Sequence, residues 1–105
     1  MVYAQTTIWT EDFQSDALND GCEVGCATPS SSKWTVSSGG CAFSSDDYLK
    51  VTSFGGGQVM EAKDLDGEAI WTSESINISG YTNVAIDVAW REAYCGSSDY
   101  LRFYY

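Results

Sequence analysis

The sequence predicts an all-β fold closed as an antiparallel sandwich, and three observations predict it. Seven Tyr, four Trp and four Phe stand among many Thr, Ser and Val, the residue types that suit a pleated, half-buried surface. Short runs alternate apolar and polar residues between loops of Ser, Gly, Asp and Asn. No window carries the amphipathic period of a helix over a helix's length. With 105 residues, 44% of them apolar, one hydrophobic core is within reach and a second is not.

The elements follow in order. Residues 6–13, Thr-Thr-Ile-Trp-Thr-Glu-Asp-Phe, are expected as the first strand. Residues 15–32 read as a loop, because Asn19-Asp20-Gly21, Pro29 and three consecutive serines are turn chemistry without periodicity. Residues 33–37 form a short strand with Trp34 and Val36 on one face, ended by Ser38-Gly39-Gly40. Residues 47–53 alternate Tyr48, Lys50 and Thr52 against Leu49, Val51 and Ser53, and Gly55-Gly56-Gly57 breaks them from a strand at 58–62. Residues 69–78 place Ile70, Thr72, Glu74, Ile76 and Ile78 on one side before the turn Gly80-Tyr81-Thr82-Asn83. Residues 84–90 put Val84, Ile86, Val88 and Trp90 opposite Asp87, the clearest strand pattern in the chain. Residues 100–105 are a last aromatic strand with no turn after it, so the expectation is that further residues or a partner's strand complete it.

Charge and missing residue types exclude whole classes of function. Fifteen acidic against five basic residues give a net charge of −10, which repels nucleic-acid phosphates and anionic lipid headgroups. With no His, a Ser-His-Asp triad, His-based zinc sites and imidazole general bases are excluded within the chain. No apolar run approaches a membrane span, so no membrane insertion is expected.

Four cysteines, Cys22, Cys26, Cys41 and Cys95, read as two disulfides made outside the reducing cytosol. Zinc is the rival, but Cys41 and Cys95 are isolated and make no second knuckle. Spacing leaves three pairings open; the expectation taken is Cys22 with Cys26 and Cys41 with Cys95. Residues 1–5, Met-Val-Tyr-Ala-Gln, resemble the tail of a secretory leader, so the expected division is a leader remnant at 1–5 and one module at 6–105.

Three stretches carry a family resemblance: Ile8-Trp9-Thr10-Glu11-Asp12-Phe13; Ala62-Lys63-Asp64-Leu65-Asp66-Gly67-Glu68 with Trp71-Thr72-Ser73-Glu74; and Ile76-Asn77-Ile78-Ser79-Gly80-Tyr81-Thr82-Asn83-Val84. They resemble the jelly-roll modules of secreted and cell-surface Bacteroidota proteins, adhesin-like modules exported by the type IX system. The resemblance implies a jelly-roll-like β-sandwich, incomplete at the C-terminus and represented here by its N-terminal portion. It also implies a secreted, surface-attached, non-catalytic module that binds a glycan or a surface protein. Such modules accompany adhesins, proteases and polysaccharide-degrading enzymes alike, so an accessory domain of a secreted hydrolase and an assembly module working by strand addition are the alternatives.

Two acidic groups are candidate ligands. Asp64, Asp66 and Glu68 alternate beside Gly67 and offer hard oxygens suited to calcium; the same residues also read as solvated acids in a polar turn. The resemblance adds Glu11, since similar modules hold a structural calcium between the first strand and a later loop. Asp46, Asp47 and Asp99 read as turn formers. Trp9, Trp34, Trp71 and Trp90 are expected in the core, whereas Tyr94, Tyr100 and Tyr104 are the aromatics free to form a sugar-binding platform. Paired carboxylates without a substrate-positioning cleft do not make a glycosidase, and no enzyme is expected.

Overall fold

The computed structural model describes residues 4–26 and 28–105. Met1, Val2 and Tyr3 of the expected leader remnant, and Ala27, lie outside the described residues. The fold is all-β. Among the described residues five strands, β1 (Gly21–Cys22), β2 (Trp34–Ser38), β3 (Tyr48–Phe54), β4 (Gly57–Lys63) and β5 (Ala69–Ser73), form two antiparallel sheets, ordered β1-β3-β4 and β2-β5.

The hairpin of β3 and β4 follows from its glycines. Gly55 and Gly56 take φ of 59° and 84°, the left-handed pair that a two-residue connection between twisted strands requires. Phe54 is therefore opposite Gly57, and the ladder runs to Tyr48 opposite Lys63. The predicted alternation holds: Leu49 and Val51 face the core, at 8% and 0% exposure. Cys22, Trp34 and Val36 complete the buried cluster, with Phe13, Phe43, Met60, Ala69 and Trp71 packed around it.

β1 lies inside the stretch expected to be loop. It is held by backbone pairing: Gly21 pairs with Lys50 and Cys22 with Leu49, while Val51 exchanges hydrogen bonds with Asn19 and Asp20. A Cβ at Gly21 would meet the Leu49 carbonyl oxygen at 2.3 Å, and its φ is 129°, so glycine alone permits this approach.

β2 pairs with β5 in the register Trp34 with Ser73 to Ser38 with Ala69. This puts Trp71 opposite Val36 on the inner side and leaves Ile70 outside, 41% exposed. An aromatic cluster joins the sheets: Phe13 meets Trp34 and Trp71 edge-on with centroids 6.0 and 6.1 Å away, and Trp34 lies 6.4 Å from Trp71. The Trp34 indole N–H donates to Asp16 at 3.0 Å.

Three expected strands are corrected. Residues 6–13, 84–90 and 100–105 adopt no strand, and the strand expected over 69–78 ends at Ser73. A strand needs a ladder partner for its backbone, and alternation in sequence specifies a face without specifying a partner. Trp9 is half-buried beside Trp71, but Trp90 is 60% exposed and outside the core. The expected second disulfide is also corrected: Cys22 and Cys26 are bonded, whereas Cys41 is a buried free thiol and Cys95 an exposed one. Cys41 is held in the loop before β3 beside Asp66, and Cys95 sits on the strandless segment, its thiol directed at Ala93.

Because Trp34 is the largest fully buried side chain, we expect Trp34→Ala to lower unfolding free energy by about 3–5 kcal/mol in denaturant titration. Trp71→Ala should cost more than Ile70→Ala; the reverse order would contradict the facing of β5.

Candidate functional site

Four places could carry function, and the first is a polar cleft of about 450 Å³ lined by Glu11, Asp12, Asp16, Ser30 and Lys33, among others. Its carboxylates are largely engaged. Glu11, with its side chain 8% exposed, accepts the Phe13 N–H at 2.7 Å and lies 3.3 Å from the Lys33 ammonium. Lys33 also donates to the Thr10 carbonyl and sits 5.0 Å from the Trp9 ring centre. Asp16 is held by Trp34, while exposed Asp12 accepts the Gln14 N–H at 3.1 Å.

The second place is the connection between β4 and β5. Asp66 accepts the Ala42 N–H at 3.1 Å and the Cys41 thiol at 3.3 Å, and the Glu68 carbonyl accepts the N–H groups of Gly39 and Cys41. These bonds tie this connection to the loop leaving β2. Asp64 takes a positive φ of 47° directly after β4. The set Glu11, Asp64, Asp66 and Glu68 is not gathered: Glu11 belongs to the polar cleft, and among the described residues no three acidic or thiol groups converge on a metal position.

The third is the outer face of the β3–β4 hairpin, which sequence reasoning missed. Glu61 accepts the Tyr48 hydroxyl at 3.1 Å and the Thr52 hydroxyl at 2.9 Å. Lys50 is 8% exposed, pairs with Glu23 at 2.8 Å, and lies 4.4 Å from the Tyr48 ring centre. Counting outward from Gly55-Gly56 puts Lys50 opposite Glu61, and that count was the available signal. Burial, reinforced by Glu61, raises the Tyr48 phenol above its usual 10.

The fourth place is the open edge of β4. The hairpin geometry alternates, so Gln58, Met60 and Ala62 turn their backbone groups away from β3. The Gln14 side-chain amide occupies Gln58 as a neighbouring strand would, donating to its carbonyl at 2.7 Å and accepting its N–H at 3.1 Å. Gln58 returns two bonds from its own amide, to the Phe13 and Asp16 carbonyls. Beyond this clamp, Met60 and Ala62 meet no further backbone partner among the described residues.

Met60, Trp71, Ile76, Ile86, Val88 and Trp90 line one open, largely apolar region of the surface that reaches this edge. Ile86, Val88 and Trp90 are 70%, 47% and 60% exposed. The predicted platform residues Tyr94, Tyr100 and Tyr104 are exposed as well, but they lie on the strandless segment and not on a sheet face.

Two outcomes are expected. Burial, together with Asp66, pushes the Cys41 thiol up, so iodoacetamide at pH 8 should alkylate Cys95 at least about tenfold faster than Cys41. The Tyr48 contribution to stability is fully present well below pH 10, where an unfolded phenol is half ionised, and is lost as pH rises through the higher folded value. Alkaline denaturation should therefore be shallower in Tyr48→Phe than in wild type.

No helix among the described residues is long and apolar enough to cross a membrane. No protein-family model, curated protein or solved structure matches the chain.

Proposed function

We propose that this chain is a non-catalytic extracellular module of a surface-attached protein, of the jelly-roll adhesin-like kind, and that it engages a neighbouring surface protein by accepting its strand. The observation that carries the reading is the open β4 edge at Met60 and Ala62 beside an uncovered apolar surface. Main-chain bonds at a sheet edge give affinity, and alternate side chains give selectivity. The net charge of −10 favours a segment with basic residues at its polar positions. The Cys22–Cys26 disulfide is compatible with an oxidising location.

A glycan in the polar cleft is the second reading. The serine hydroxyls and exposed Asp12 beside Lys33 supply the polar groups a hydroxyl-rich ligand needs. Calcium bound through Glu11 or through the acids at 64, 66 and 68 remains part of the proposal only as a structural ion, and calcium titration followed by thermal melting tests it.

The probe for the main reading is a fluorescent seven-residue peptide alternating Val or Ile with Lys. Saturable binding by anisotropy is expected, weakened at least about tenfold in Ala62→Pro, which removes an edge N–H. Absence of peptide binding, with glycan-array binding lost on Asp12→Asn, would replace this reading with the second.

A further inference from the structure

We infer that residues 84–90 are a latent sixth strand, which docks on the β4 edge of its own chain and competes there with the partner strand. The inference rests on the strand-acceptor reading for what it regulates, but the docking stands on its own geometry.

Length, direction, tether and facing agree. Residues 84–90 match the seven residues of β4. The Arg91 guanidinium already sits 5.1 Å from the centre of the Phe54 ring, at the tip where the hairpin turns. β4 runs away from that tip, and a strand over 84–90 that ends beside it at Arg91 would run towards it, which makes the two antiparallel. A docked strand keeps this contact when Arg91 stands opposite Gly57, the ladder partner of Phe54. Continuing the register places Val88 opposite Met60 and Ile86 opposite Ala62.

Facing then decides between registers. Met60 and Ala62 lie opposite Val51 and Leu49, on the core side of the sheet. This register sets Ile86 and Val88 on that side, extending the apolar layer. Asp87 falls on the outer face with Glu61, where small Ala85 and Ala89 flank it. A slip of one residue would bury Asp87 and expose Ile86 and Val88, so the pattern permits this register and rejects its neighbours. Cross-strand apolar pairs stabilise such an edge.

The ends of the site limit the ladder. At one end the Gln14 amide already holds Gln58, and at the other Asp64 leaves strand geometry. What remains is the stretch containing Met60 and Ala62, with four main-chain bonds to Val88 and Ile86. So short a ladder makes docking reversible, and Asp87 opposite Glu61 weakens it further through like charge. A built-in strand of this kind protects an open edge until a better strand displaces it.

The test is residue-resolved amide exchange on the whole chain, in wild type and in Val88→Pro. The substitution removes the donor facing Met60 and touches none of the buried cluster. Wild-type Met60 and Ala62 amides should exchange at least about twofold more slowly than in Val88→Pro, independently of protein concentration, with Val51 unchanged as the control for folding. Equal exchange in both chains would overturn the inference, as would protection that appears only at high concentration, which assigns the strand to a second copy. Ile86→Asp/Val88→Asp provides an independent variant and should bind the labelled peptide several-fold more tightly than wild type. If neither chain binds the peptide while Met60 and Ala62 stay protected, the strand-acceptor reading fails and the latent strand stands.

Discussion

The contact on which the rest of the structure depends is Trp34 between the two sheets. It is 1% exposed, shares the buried cluster with Leu49 and Val51 of β3, and lies against Phe13 and Trp71. A large buried ring carries much of the hydrophobic stabilisation available to so small a core. Its polar end is satisfied by Asp16, which belongs to the turn that Gln14 and Gln58 fasten to β4. One residue of β2 thus couples both sheets and the segment preceding β1. The Trp71 indole nitrogen in the same cluster is buried without a partner among the described residues, a cost of about 1–3 kcal/mol that the packing offsets.

The part of the fold legible in the sequence is the part whose partners are local. Gly55-Gly56 fixes the hairpin register, and the alternation in residues 47–53 then determines which side chains enter the core. Trp34 and Val36 were readable from their alternation, although β2 finds its partner in the distant β5. Residues 84–90 have the best alternation in the chain and yet form no strand, because a period of two records a buried side and says nothing of the edge that must pair with it. β1 shows the converse: Gly21 and Cys22 have no strand pattern, and main-chain pairing with β3 recruits them regardless.

The candidate sites divide along the same line. Cys22–Cys26 closure is a short-range event and matches the pairing taken among three that spacing leaves open; the free state of Cys41 and Cys95 depends on where the strandless segment lies, which spacing does not encode. Acid clusters invited a metal reading, and two of the four carboxylates have a specific neighbour in the fold: Glu11 has Lys33, and Asp66 has the loop at Cys41 and Ala42. Glu11 and Asp66 thus fasten neighbouring segments to one another. The face most open to a partner is instead an unpaired main-chain edge, and no side-chain motif marks such an edge.

The central claim is that a single tryptophan holds the two sheets and the Gln14 turn together. Hydrogen exchange of the tryptophan indole N–H groups by NMR addresses it directly. The account predicts that Trp34 exchanges slowest of the four and that Asp16→Ala abolishes most of this protection. A Trp34 indole exchanging as fast as a free indole in the wild-type chain would contradict it.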